Sequence, residues 1–191
     1  MDEVTSQHWG LLPSGPDMWT AALWSPQARA VSVVVDGTPT PLTRGTDGTF
    51  RGTVMAPAAA AYVFDVDGTR IPDPAARQQS GDVHAPSLLT IPPQSTNTWT
   101  GRDWRDSVIS EIHIGTFTKA GTFAAAAEKL PDLADLGINT VEVMPIAQFA
   151  GNHGWGYDGV LPYAVHPAYG TPEDFAAFVA AAHGLGMSVI L

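Results

Sequence analysis

The sequence predicts two architectures in one chain, an antiparallel β-sandwich followed by parallel βαβ units. Short apolar segments recur at roughly 10-residue spacing from Met18 to Val66, with Asp-Gly turns beside them and no clear helix between them. Prolines then crowd the stretch from Ile71 to Trp104. From Val108 onward, apolar strands alternate with helical patterns, as they do where helices cover a parallel sheet. The expected divisions are a sandwich over residues 1–70, a proline-rich connector packed against it over 71–105, and an incomplete βαβαβ unit over 106–191.

Taken in order, the expected strands of the first part are Met18 to Trp24, Ala30 to Val35, a short piece near Leu42, Phe50 to Met55 and Tyr62 to Val66. Asp-Gly-Thr occurs at Asp36, Asp47 and Asp67. Asp-Gly favours tight hairpins because both central residues must take positive φ. Trp19 and Trp24 fall on opposite faces of one strand, so at most one fills the core; the other is open to an inter-domain or glycan contact, with packing the safer expectation for both. The connector contains Pro72, Pro74, Pro86, Pro92 and Pro93, which remove backbone donors and predict an extended segment over the surface. Its Asp73, Asp82 and His84 match no metal-ligand spacing, and no metal or cofactor is expected.

In the second part, Val108 to Ile114 reads as a strand with Ile112 and Ile114 on one face and Glu111 and His113 on the other. These last two are possible barrel-lining site residues or a satisfied hydrogen-bonded pair. An Ala-rich helix follows from Phe123 to Leu136, interrupted by Pro131 and stopped by Gly137. Ile138 to Met144 is the next strand. Thr171, Pro172 and Asp174 have the order of N-cap, first helical position and capping-box acid, and open a helix whose buried stripe is Phe175, Phe178, Val179 and Ala182. Met187 to Leu191 begins a third strand, and a chain stopping inside an apolar strand is expected to be an N-terminal fragment. If the parent is a (β/α)8 barrel of typically about 250 residues, about a third of it is here.

Nineteen acidic against nine basic residues give a formal charge of −10, which argues against nucleic acid or an anionic membrane as partner. With no cysteine, disulfides, thiolate metal sites and cysteine nucleophiles are excluded. The first residues lack a signal-peptide pattern, and no run approaches the roughly 20 apolar residues of a membrane span, so a cytoplasmic protein is expected.

Between Met144-Pro145 and Thr171 lies a connection of roughly 25 residues, far longer than the usual 2 to 6. Its core is Gly151-Asn152-His153-Gly154-Trp155-Gly156-Tyr157-Asp158-Gly159. Glycines give backbone freedom, while Trp155 and Tyr157 offer flat apolar faces with polar edges, the surface that suits a sugar ring. The bland alternative is a floppy lid with two packing aromatics. Gly154-x-Gly156-x-x-Gly159 also fits the dinucleotide fingerprint formally. That motif should follow a strand directly and open a helix, whereas no helix begins here until Thr171.

Four segments together resemble the start of the catalytic barrel in the α-amylase superfamily: Ser110-Glu111-Ile112-His113-Ile114-Gly115-Thr116-Phe117, Leu136-Gly137-Ile138-Asn139-Thr140-Val141-Glu142-Val143-Met144-Pro145, Trp155-Gly156-Tyr157-Asp158-Gly159 and Tyr169-Gly170-Thr171-Pro172. The resemblance implies a (β/α)8 TIM barrel truncated in its third strand. It also implies that the sandwich is the immunoglobulin-like domain, of the early set type, that precedes the barrel in branching and debranching members. The implied activity is retaining hydrolysis of α-glucan. Within the superfamily, Ile71-Pro72-Asp73-Pro74-Ala75-Ala76-Arg77 and Gly81-Asp82-Val83-His84-Ala85-Pro86-Ser87 are most similar to trehalose-releasing members. Those hydrolyse the α-1,4-glucosidic bond beside the trehalose end of malto-oligosyl trehalose. Glycogen branching members share the barrel motifs but resemble the connector less.

Carried over residue by residue, the resemblance implies that Tyr157 stacks on the sugar at the cleavage site. Asp158 beside it becomes a hydrogen-bond partner of loop or sugar, and Trp155 a further substrate-binding aromatic. His166 departs from the family pattern, with Val165 before it and Pro167 after it, and takes no role. His153 and His183 are expected on the surface. The family's nucleophilic Asp, acid/base Glu and second Asp belong to later strands, so no catalytic residue is expected in this chain, and it is expected to be inactive by itself. A non-catalytic glycan-binding module is the alternative, and would place the sugar contact in the sandwich.

Overall fold

A computed structural model describes residues 8–93 and 99–191; the start of the expected sandwich, residues 1–7, and residues 94–98 of the expected connector lie outside the described residues. The chain divides into two compact units, meeting between Ile91 and Pro92.

The described residues of the first unit form the strands β1 (Gly10–Gly15), β2 (Met18–Trp24), β3 (Val31–Val35), β4 (Thr38–Pro41), β5 (Thr43–Arg44), β6 (Thr49–Met55), β7 (Ala61–Val66), β8 (Thr69–Ile71) and β9 (Ser87–Leu88). They form two antiparallel sheets, ordered β1-β2-β6-β5 and β4-β3-β7-β8, with β9 also paired to β7. Trp19, Leu23, Phe50 and Val54 of one sheet share a core with Val31, Val33, Tyr62 and Phe64 of the other. Alternation decides the two tryptophans. Trp19 is 2% exposed and its indole N–H donates to the Ala56 carbonyl at 2.9 Å, while Trp24 is 60% exposed and is not part of this core.

Two of the three Asp-Gly turns have the expected geometry: Asp36 and Gly37 between β3 and β4, and Asp67 and Gly68 between β7 and β8, all take positive φ. At the third, only Gly48 does. The Asp47 carboxylate instead accepts the Thr49 N–H at 2.9 Å, an Asx turn that leaves its own backbone in an ordinary region.

The stretch from Ile71 to Ile91 does not lie over the surface as its prolines predict. Asp73, Ala75, Ala76, Gln79, Ser87 and Leu89 are buried. The Tyr62 hydroxyl donates to the Asp73 carboxylate at 2.6 Å, the Ala75 N–H donates to its other oxygen at 2.8 Å, and the Asp73 N–H reaches the Ser87 hydroxyl. Arg77 donates to the carbonyls of Trp9 and Ala75. Only Ser87 and Leu88 of its later part join the sheet, through β9, and the buried side chains of Asp73, Gln79 and Leu89 anchor the rest.

The second unit contains β10 (Ile109–Ile112), α1 (Ile114–Phe117), α2 (Phe123–Ala127), α3 (Leu130–Asp135), β11 (Thr140–Val143), β12 (Ala147–Gln148), β13 (Leu161–Val165), α4 (Pro172–Gly184) and β14 (Ser188–Ile190). β10, β11 and β14 form a parallel sheet in that order. The expected first strand ends early, because Ile114 begins a helical turn whose N–H groups at Thr116 and Phe117 bond the His113 carbonyl. The Ala-rich helix splits in two, with Pro131 in the first turn of α3, where a missing N–H costs nothing. α4 begins with the full capping box of Thr171 and Asp174.

Ile112, Val141 and Val143 bury one face of the sheet against Phe123, Leu130, Phe178 and Ala182. Glu111 and Glu142, paired in register, therefore share the opposite face. At the N-terminal ends of the strands, Arg102 donates to the Gly186 carbonyl at 2.7 Å, and Asn139 joins the Val108 N–H to the Asp106 carbonyl. The Trp99 ring stacks on His183 with centroids 4.7 Å apart. Those contacts close one end of the sheet and leave the other end to the long connection.

Candidate active-site cleft

At the C-terminal ends of β10 and β11, where parallel α/β folds place their ligands, an open cleft of about 510 Å³ is lined by His113, Thr116, Met144, Asn152, His153, Trp155 and Tyr169, among others. His113 follows β10 directly and Met144 follows β11. Tyr169 arrives from the turn before α4.

The long connection is neither structureless nor a floppy lid. Within it, β12 and β13 pair antiparallel, and Leu161, Ala164, Phe149 and His166 are buried. Gly156 has φ of 91°, and a Cβ there would run into the Pro145 carbonyl oxygen, so the glycine is required by close packing as well as by conformation.

Two imidazoles hold the turn between Phe149 and Trp155. His166 is buried and stacks on Phe149, with Nε2 3.0 Å from the Gly151 carbonyl. Its Nδ1 accepts the Ala168 N–H at 3.1 Å, which fixes the proton on Nε2. Burial lowers its pKa below the ordinary histidine value, opposed by the Gly151 and Phe149 carbonyls and by the charge of Asp158. His113 places Nε2 2.9 Å from the Gly154 carbonyl, and its ring meets the Tyr169 ring edge-on, centroids 5.8 Å apart. Tyr169 is held protonated by its burial first and by the Asp158 carboxylate second, both of which raise its pKa.

The expected site residues separate. Trp155 borders the cleft and is 78% exposed. Tyr157, 70% exposed, and Asp158 lie on the same loop but outside the cleft lining. Glu111 is exposed and shares the Glu142 face, so the buried Glu111–His113 pair does not form; His113 bonds the loop instead. His153, expected on the surface, is exposed and borders the cleft. His183 is half-buried under Trp99. Sequence reasoning did not single out Thr116, Asn152 and Met144, whose only signal is their position just after strand ends or within the glycine-rich turn. Among the described residues, no Asp or Glu lines the cleft. Among the described residues, no group of three or more His, Cys, Asp or Glu is placed to hold a metal ion, and no helix is long and apolar enough to cross a membrane.

Residues 90–191 match the alpha amylase catalytic domain. The chain belongs to the α-amylase family. A malto-oligosyltrehalose trehalohydrolase of Mycobacterium tuberculosis is 45% identical over 177 residues, covering 88% of this chain and 30% of the relative. A 1,4-α-glucan branching enzyme of Rhizobium johnstonii is 33% identical over 209 residues, covering 89% of this chain and 27% of the relative. Among solved structures, a Salmonella typhimurium protein assigned as an alpha amylase superposes with a TM-score of 0.89 at 45% identity, over 96% of this chain and 32% of that one. The chain thus spans about 30% of the length of the trehalohydrolase it matches. In α-amylase family terms, the parallel sheet and the cleft at its C-terminal ends belong to the catalytic domain, and a β-rich unit precedes them.

Proposed function

We propose that this chain forms the N-terminal part of a retaining glycoside hydrolase that releases trehalose from malto-oligosyl trehalose, and that it contributes glucan binding rather than the cleaving groups. The observation that carries this reading is the composition of the cleft. Trp155 and Tyr169 supply aromatic faces, and Asn152, Thr116 and His153 supply hydrogen-bonding groups, the combination that suits a neutral sugar. Retaining hydrolysis needs two carboxyls about 5 Å apart, and among the described residues the cleft lining has neither. The reading places that pair in the length of the relatives that this chain does not span. It takes the first unit as an immunoglobulin-like sandwich of the early set type, and the sheet β10-β11-β14 as the first three strands of a (β/α)8 barrel. Trp155 is the inner sugar platform, with Tyr157 and Asp158 as outer contacts on the same loop.

The similarity to a trehalohydrolase exceeds that to the branching enzyme, 45% against 33%, which favours water over a second glucan as acceptor. A chimera tests this, with residues 1–191 replacing the equivalent segment of the M. tuberculosis relative. Trehalose release from malto-oligosyl trehalose is the expected result, with none from the 191-residue chain alone. A chimera that forms α-1,6 branches without releasing trehalose would overturn the assignment.

A further inference from the structure

We propose that His113 and His166 are positioning residues that together fix the cleft loop, each donating its Nε2–H to one carbonyl of the turn that carries Asn152, His153 and Trp155. The two bonds bracket the turn: His166 takes Gly151 O at 3.0 Å and His113 takes Gly154 O at 2.9 Å. Between the acceptors lie only Asn152 and His153, and Trp155 follows directly. Three of the side chains that line the cleft therefore hang from a segment pinned at both ends.

The two histidines are themselves braced. His166 lies flat on Phe149, the residue that enters the turn, and its Nδ1 is occupied by the Ala168 N–H, so its ring cannot flip without losing both bonds. Tyr169 stands between the pair, its ring 5.5 Å from His166 and 5.8 Å from His113, with its hydroxyl 3.4 Å from His113 Nε2. His113 caps the end of β10 and His166 follows β13, so the turn is referred to two separate strands of the second unit. A glycine-rich turn has little conformational preference of its own. At His166 the imidazole is a donor at one nitrogen and an acceptor at the other, at a fixed separation, which refers the loop carbonyl to the Ala168 N–H.

The geometry separates the loop bond from the local one. Gln at position 166 can place an amide N–H where Nε2 stood, while Asn can only reproduce the Nδ1 position; at position 113, where Nδ1 is buried without a hydrogen-bond partner, Gln restores the loop bond and Asn restores none. The test is amide hydrogen exchange across residues 150–156 of the 191-residue chain, without sugar, in wild type and in H113N, H113Q, H166N and H166Q. The Asn variants are expected to exchange at least tenfold faster in that turn, with β11 and α4 unchanged, and the Gln variants to stay within about threefold of wild type. Equal behaviour of Asn and Gln variants, or acceleration throughout the second unit, would overturn the proposal. Imidazole ¹⁵N shifts of the wild-type chain give a check that needs no variant: both rings must carry the proton on Nε2, and an Nδ1–H tautomer at either would also overturn it.

The consequence for sugar rests on the proposed function and is read separately, by titration with maltohexaose. If the wild-type chain binds, the Asn variants are expected to bind at least threefold more weakly and the Gln variants to recover. If the wild type does not bind while the exchange pattern holds, the glucan reading fails and the positioning role stands.

Discussion

The imidazole of His166 lies on the ring of Phe149, centroids 3.7 Å apart and planes within 14°. This contact needs a neutral ring, because its Nδ1 already accepts the Ala168 N–H and a proton there would set two donors against each other. Burial lowers the folded-state pKa, and Asp158 is the charged group that opposes it. The sign follows from linkage: the unfolded histidine, near 6.5, takes up a proton before the folded one. The stability that neutral His166 contributes is therefore present above about pH 6.5 and is lost as pH falls through the lowered folded value. Urea titrations of wild type and H166Q at pH 7.5 and 5 should show a larger acid-induced loss in the wild type, and equal losses would contradict this.

Asp73 behaves in the opposite sense. Burial raises its pKa, against the hydrogen bonds from Tyr62 and the Ala75 N–H that favour the carboxylate. A raised folded value stabilises the protein below the unfolded value of about 3.9 and gives that stabilisation up as pH rises through the folded one. D73A leaves the Tyr62 hydroxyl and the Ala75 N–H without their partner, and should cost about 1–3 kcal/mol in chemical denaturation at pH 7. Wild type should gain least over D73N at neutral pH and most below about pH 3.9.

Much of the fold was legible because its signals are local. β2 appears as Met18–Trp24, the α4 cap was spelled by Thr171, Pro172 and Asp174, and Asp36-Gly37 and Asp67-Gly68 form turns their residues favour. The failures are long-range. Nothing near Pro72 announces that Asp73 will be buried against Tyr62 and Ser87, and a proline-rich stretch with no periodicity reads as surface. Likewise Gly151-Asn152-His153-Gly154 reads as a free loop until His113 and His166, distant in sequence, are seen to reach its carbonyls. Of the two aromatics expected to contact sugar, Trp155 borders the cleft and Tyr157 lies beyond Gly156 on the same loop.

The two tryptophans of β2 test the strand's alternation directly. W19A opens a cavity in the first unit's core and removes the indole bond to Ala56, and should cost about 3–5 kcal/mol. W24A removes an exposed ring and its indole bond to the Asp47 carbonyl, and should cost no more than about 1 kcal/mol. Thermal or urea unfolding of both variants decides the assignment of faces.

Trp155 and Tyr157 make the last comparison, on binding rather than stability. Both rings are exposed, so neither substitution should move the unfolding midpoint appreciably. They differ in what they border: Trp155 faces the cleft with Asn152 and His113, and Tyr157 does not. An aromatic platform contributes about 0.5–1.5 kcal/mol beyond burial, a factor of roughly two to ten in affinity. Titration with maltohexaose should therefore show W155A weakened by roughly two- to tenfold, with Y157A closer to wild type. If Y157A is the weaker binder, the sugar lies along the outer side of the loop, and the open cleft beside His113 is not its principal seat.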